Sequence, residues 1–215
     1  MLLALLLCYG VHAMLYGLRP IFSISVSTDQ FRISGHAFLA LLCVILLTGV
    51  GILYIRTFLW IQFLFDRIQP GKLMMLLLLF LGVGGFGFFF PLMGGSGSEL
   101  FCGLMWLYSI RQLLFLFFSK FFFSIFTLTC GIPGGFILPI LAIGGIGGKL
   151  FGEFCCLYGW IQLDEINCFI LYGMCAIFVC VVRMPITGIF LILETTWQIQ
   201  CLPNLLLSGL TAYYL

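Results

Sequence analysis

Uncharged apolar stretches of nearly membrane-crossing length alternate with short polar breaks along this chain, and the pattern predicts helices. Met1 to Leu18 is apolar and lacks both a basic lead and a small-residue cleavage site, so it reads as a membrane helix and not as a signal peptide. It starts inside hydrophobic sequence with no polar lead-in, as a piece of a longer chain would. Arg19 to His36, with Pro20, Asp29, Arg32 and several serines, reads as a loop or interfacial connection. Ala37 to Ile55 is uncharged, and its helix is expected to continue past Arg56 to Phe65. At about 1.5 Å per residue it overshoots a hydrocarbon core about 30 Å thick, so it must tilt or run into the interface. Asp66 to Lys72 makes a turn, and Leu73 to Phe90 is the next span, ended by Pro91.

After Pro91 the pattern changes. Gly94, Gly95, Ser96 and Gly97 form a glycine-rich break, and Leu100 to Ile110 is too short to cross a bilayer before Arg111. Gln112 to Cys130 carries Lys120 in its middle and leads into Gly131-Ile132-Pro133-Gly134-Gly135. Phe136 to Gly148 is again short, with Gly144, Gly145, Gly147 and Gly148 at its end and Lys149 behind it. Ile166 to Val182 just spans, Met184 to Leu193 is bounded by Arg183 and Glu194, and Thr195 to Leu215 is interrupted by Pro203. Backbone polar groups must be satisfied inside lipid, so broken helices are tolerated only where their ends are buried in protein or line a watery cavity. A succession of them predicts a transporter or channel. Close helix packing accounts for Gly144 to Gly148. It accounts poorly for Gly131 to Pro139, where Pro133 and Pro139 bracket a turn.

Composition narrows the class. Hydrophobic residues make up 63% and charged residues 7%, against about 45–50% and about 25% in soluble domains. That excludes a soluble enzyme, a nucleic-acid binder, a disordered tail and a secreted disulfide scaffold. The net charge of +2 says little, and loop charges are too few to orient the chain. The ten cysteines are scattered through apolar runs without a C-x-x-C pair, and adjacent Cys155 and Cys156 are poorly placed for a bridge, so they read as reduced, small hydrophobes. Two histidines are too few for a metal cluster, and no metal, organic cofactor or catalytic constellation is expected. The 25 phenylalanines supply lipid-facing and packing surface.

The segment Gly134-Gly135-Phe136-Ile137-Leu138-Pro139 carries the chemistry. Two glycines allow a tight turn and close backbone approach. Pro139 suits the first turn of a helix, where its missing N–H costs nothing. The amides of Phe136 and Ile137 are then unsatisfied donors at a positive helix end, suited to a small anion. Partial charges let the anion arrive and leave, where a lysine would hold it.

Gly131 to Gly145 (GIPGGFILPILAIGG) resembles the G-x-F-x-P region of the ClC family of chloride channels and chloride/proton antiporters. A second block, Gly173-Met174-Cys175-Ala176, Arg183-Met184-Pro185-Ile186-Thr187-Gly188 and Leu193-Glu194-Thr195-Thr196, resembles the family's G-M-x-A…R-x-P-L-T-G…E-x-T stretch at similar spacing. Gly94 to Leu100 and Trp60 to Arg67 are weaker matches. The resemblance implies an all-α integral membrane fold of tilted and broken helices, multi-pass in the cell membrane. Residues 1–18 would be the last helix of the first inverted repeat and residues 37–215 the second repeat. It also implies chloride as ligand, contacted by the amides of Phe136 and Ile137 within the set Gly134, Gly135, Phe136, Ile137 and Pro139.

There are departures. Where the pattern has phenylalanine this chain has Ile137, with Phe136 one step earlier. No G-S-G-I-P or G-x-E-G-P segment is present; Cys130-Gly131-Ile132-Pro133 has cysteine where the first needs serine. Tyr213 and Tyr214 fall too early to be the family's pore tyrosine. The resemblance therefore implies a C-terminal half that pairs with a second copy or with a separately encoded first half. The rival reading is a non-transporting remnant that retains only fold and assembly contacts. Channel and antiporter both stay open, as does anion preference.

Three charges remain. Glu194 lies near membrane depth, where a carboxylate is either a proton relay or a structural acceptor, capping a helix or pairing with Arg183. Lys120 and Arg183 are expected to snorkel to an interface or hold carbonyls at helix ends.

Overall fold

The computed structural model describes residues 37–67, 108–129 and 135–215, together with residues 10, 11, 14, 17, 22, 24, 77, 80–82, 84, 85, 87 and 88. The described residues of the spans expected at 1–18 and 73–90 are helical apart from Gly17. The rest of those spans lies outside the described residues, as do the glycine-rich break at 94–97 and residues 130–134.

Six α-helices order the described chain: α1 (Ala37–Arg67), α2 (Ile110–Thr129), α3 (Ile137–Leu157), α4 (Ile166–Val182), α5 (Pro185–Thr196) and α6 (Leu202–Tyr214). Single 3-10 turns precede α4 and α6. By length and composition, four helices could cross a membrane among the described residues: residues 37–64, 110–129, 137–157 and 163–182.

At 31 residues, α1 is about 46 Å long at 1.5 Å per residue and overshoots the hydrocarbon core as expected. Cys43, Val44, Leu47, Thr48, Gly51 and Tyr54 recur at helical spacing and are buried, while Phe38, Leu46, Leu53, Trp60 and Phe63 stand exposed on the outer side. One face meets protein and the other is free to meet lipid. Helix α2 starts at Ile110, two residues before the expected start, because the Gln112 side chain accepts the Ser109 N–H at 3.0 Å, one half of a capping box.

The α3 helix departs most from expectation. It does not stop at Gly148 but runs through all four glycines and Lys149 to Leu157, where Gly159, at φ +72°, turns the chain. Tertiary contact explains why glycine does not end it. A Cβ on Gly144 would lie 2.5 Å from the Gly173 carbonyl oxygen and 2.8 Å from Met174 Cα. A Cβ on Gly148 would strike the Phe169 carbonyl, and one on Gly173 the Gly144 carbonyl. Backbone therefore packs on backbone between α3 and α4, and the contact outweighs the roughly 1 kcal/mol that each glycine costs in a helix interior. Leu47 of α1 reaches into the same seam, its methyls near the Cβ positions of Gly147 and Gly173.

The central helix is α4, in which every residue from Ile166 to Cys180 is buried. It is long enough to span yet is surrounded by protein. Arg183, at φ 60°, ends α4, and Pro185 starts α5 in its first turn. The α5 helix includes Glu194 and ends at Thr196, three residues beyond the stretch expected to stop at Leu193. Pro203, expected to interrupt the last segment, sits in the first turn of α6 and starts it. Within the segment expected as a loop, Phe22 and Ile24 are buried; the Phe22 N–H donates to the Thr195 carbonyl at 3.0 Å and Gln198 Nε2 to the Ile24 carbonyl at 3.1 Å. The Phe22 N–H thereby caps the C-terminus of α5. The seven described cysteines are unbridged thiols, six of them buried.

Buried polar pairs tie the helices at chosen points. Tyr54 Oη and Ser124 Oγ are 2.7 Å apart between α1 and α2, with the Tyr54 ring edge-on to Phe121. Asn204 Nδ2 donates to Tyr172 Oη at 3.0 Å between α6 and α4. Tyr54→Phe leaves the Ser124 hydroxyl without its partner, and we expect it to cost about 1–3 kcal/mol. Thermal unfolding in detergent checks this; adding Ser124→Ala must recover part of the loss, and no recovery would show that the hydrogen bond is not the cause.

Candidate functional site

The N-terminus of α3 lies in the segment singled out from sequence. Phe136 is its N-cap, with φ −91° and ψ −15°, and no side chain caps it. The first helical hydrogen bond runs from the Ile140 N–H to the Phe136 carbonyl at 3.3 Å. Pro139 has no N–H, so Phe136, Ile137 and Leu138 supply the amides that a helix start leaves without intrahelical partners. No acidic residue occupies the first turn, so the positive end of the helix dipole meets no carboxylate of its own helix. Gly135 is exposed, Phe136 is 43% and Ile137 38% exposed, and from Ile140 to Lys149 every residue is buried. A Cβ placed on Gly135 would meet nothing within 4 Å. The helix is thus embedded in protein while its amide end opens on space. Gly135, Phe136, Ile137 and Pro139 are brought together at this end; Gly134 lies outside the described residues.

The three singled-out charges are placed elsewhere. Lys120 is 1% exposed in the middle of α2, on the face that carries Leu113, Leu116, Phe121 and Ser124. Arg183 does hold a carbonyl at a helix end, its Nη1 donating to the Tyr213 oxygen at 3.1 Å near the end of α6. It forms no ion pair with Glu194, whose side chain is exposed on α5.

Sequence reasoning passed over one pair. Lys149 Nζ and Glu153 Oε1 are 3.4 Å apart on α3, with the lysine 2% exposed and the Glu153 side chain 19% exposed. The i,i+4 spacing was the available signal. Ending the helix at Gly148 hid it.

A helical membrane protein with an uncapped, acid-free, exposed start to a helix that then runs into its packed core is the class these features define. The sequence profile of the family described as voltage gated chloride channel matches residues 1–215. The chain is also similar to the H(+)/Cl(-) exchange transporter ClcA of Cronobacter sakazakii (strain ATCC BAA-894), with 32% identity over 179 residues. That alignment covers 81% of this chain and 38% of the relative, so the chain spans well under half the length of the curated protein it matches. The chain belongs to the voltage-gated chloride channel family.

Proposed function

We propose that this chain serves in moving chloride across a membrane, with the anion bound by the backbone amides of Phe136 and Ile137 at the start of α3. Gly134 and Gly135 provide the close approach, and Pro139 sets the first turn. The observation that carries this reading is the α3 terminus itself: no side-chain cap and no acid in its first turn, in a chain of a chloride channel family. Such a site binds by dipoles alone, which favours release as well as capture. The similar protein of Cronobacter sakazakii is an H(+)/Cl(-) exchange transporter, which is consistent with chloride as the ligand. The membrane proposed is the cell membrane.

Transport is further proposed to need donors beyond residues 1–215, supplied by a first half or by another copy. The support is that neither G-S-G-I-P nor G-x-E-G-P occurs in this sequence. Full chain reconstituted alone in liposomes is expected to show little chloride flux, and to gain flux when a first-half partner is incorporated with it. Robust flux from the chain alone would overturn the need for a partner; no flux in either arrangement would overturn the transport reading.

A further inference from the structure

Residues 137–157 and 163–182 are each long and apolar enough to cross a membrane, so the turn between them belongs at a face of the bilayer or beyond it. Connecting turns ordinarily run through water and carry polar side chains. This one carries Phe154, Leu157, Tyr158, Trp160 and Leu163, which are between 51% and 72% exposed. The rings follow one another, Phe154 to Tyr158 to Trp160, with centroids 4.9 Å and 5.6 Å apart. Five large apolar or aromatic side chains exposed within ten positions form the kind of patch that marks contact with protein or lipid.

The backbone of the same turn is an independent observation. Gly159, at φ +72°, folds the chain back. The Gly159 and Trp160 N–H groups donate to the Cys156 and Cys155 carbonyls at 2.9 Å and 3.0 Å, and the Tyr158 N–H to the Phe154 carbonyl at 3.4 Å. These bonds close the end of α3 on itself, so its last carbonyls find partners without water. Beyond them, Gln162 and Glu165 form a reciprocal capping box. The Gln162 N–H donates to Glu165 Oε2 at 3.0 Å and the Glu165 N–H to the Gln162 carbonyl at 3.1 Å. A turn closed in this way can leave bulk water without stranding those backbone groups, which is the condition for entering a bilayer.

We propose that the α3–α4 turn is an anchor in the lipid headgroup layer, with Phe154, Leu157, Tyr158, Trp160 and Leu163 lodged where headgroups meet acyl chains. Tyrosine and tryptophan combine an apolar body with one polar tip and favour that level. Gln162 and Asp164, exposed on the same turn, supply the edge that stays in water. A bilayer surface offers apolar chains and water side by side, as this mixture of side chains requires. The anchor rests on the chain being a membrane protein and not on the anion site of α3, so the two stand or fall separately.

Tryptophan quenching tests it, with the full chain in phosphatidylcholine vesicles brominated either near the head or near the tail end of the acyl chain. The chain has four tryptophans, and subtracting the signal of a Trp160→Phe variant isolates Trp160. Bromine near the head should quench Trp160 roughly threefold more than bromine near the tail end, as befits a ring at the headgroup level. Trp160→Tyr provides the same subtraction if thermal unfolding shows the phenylalanine variant to be misfolded. Equal or stronger quenching by the deep bromine would overturn the anchor, as would quenching by aqueous acrylamide and by neither lipid. A Trp160 that none of the three quenchers reaches would overturn it too, by placing protein over the turn.

Discussion

Gly135→Leu is expected to abolish bromide binding while leaving the protein folded. Both halves of that expectation come from the same geometry. Gly135 is exposed, is not among the positive-φ residues, and a Cβ there meets nothing within 4 Å, so a side chain is accommodated without strain. Gly135 immediately precedes Phe136 and Ile137, whose amides are the donors of the proposed site, so a bulky side chain there is expected to crowd the anion. An anion kept even 1 Å from its donors loses a large part of its binding, and the loss should be on the order of a hundredfold. Isothermal titration of the full chain with bromide measures it, with chloride as competitor. Thermal unfolding of the same sample separates a blocked site from an unfolded one. Unchanged affinity in a folded Gly135→Leu variant would remove these amides from the site.

The largest effect on stability should come from Gly144→Ala. Its new methyl would lie 2.5 Å from the Gly173 carbonyl oxygen and 2.8 Å from Met174 Cα, both backbone atoms of the most buried helix. Neither can swing aside. The α3–α4 seam has to open, and dispersion contacts weaken along its length. Overpacking of this kind costs about 3 kcal/mol or more. Gly147→Ala is the informative contrast, because its methyl meets Leu47 Cδ2 at 2.7 Å and Phe117 Cε2 at 3.2 Å, both side-chain atoms. It should cost less, and Leu47→Ala should partly relieve it. Gly49→Ala, with nothing within 4 Å, should be neutral or stabilising by up to about 1 kcal/mol, from helix propensity alone. Thermal unfolding of the four proteins in one detergent ranks them. A Gly144→Ala variant as stable as Gly49→Ala would contradict the backbone seam.

The same seam marks where reading the chain by pattern succeeds and where it fails. Apolar stretches bounded by charge located α1, α2 and α4 to within a few residues, because exclusion of charge from lipid and from the core is written in composition. Glycine is ambiguous by itself: at Gly144 to Gly148 it looked like a helix end, and only the facing Gly173 and Phe169 backbone reveals a packing surface. Proline misled in the same way at Pro203, which breaks a helix or begins one depending on its neighbours. Lys120 and Arg183 are alike in sequence, each a lone cation between apolar runs. Their fates differ because α2 packs the Lys120 face inward, while Arg183 sits on a left-handed turn within reach of the Tyr213 carbonyl. At the proposed anion site, the residue types were evident from Gly135 to Pro139, and their assembly into an uncapped, acid-free terminus emerged from the fold. The aromatic turn after α3 is not legible in sequence, because its rings and its backbone closure come together only once α3 runs past Gly148.

The most direct test of the proposed site is to locate the anion itself. Crystals of the full chain grown in bromide allow an anomalous difference map at the bromine edge. A peak within hydrogen-bonding reach of the Phe136 and Ile137 amide nitrogens, lost in Gly135→Leu, is the predicted result. An ordered α3 start with no peak before it, or bromide found only elsewhere in the protein, would contradict it.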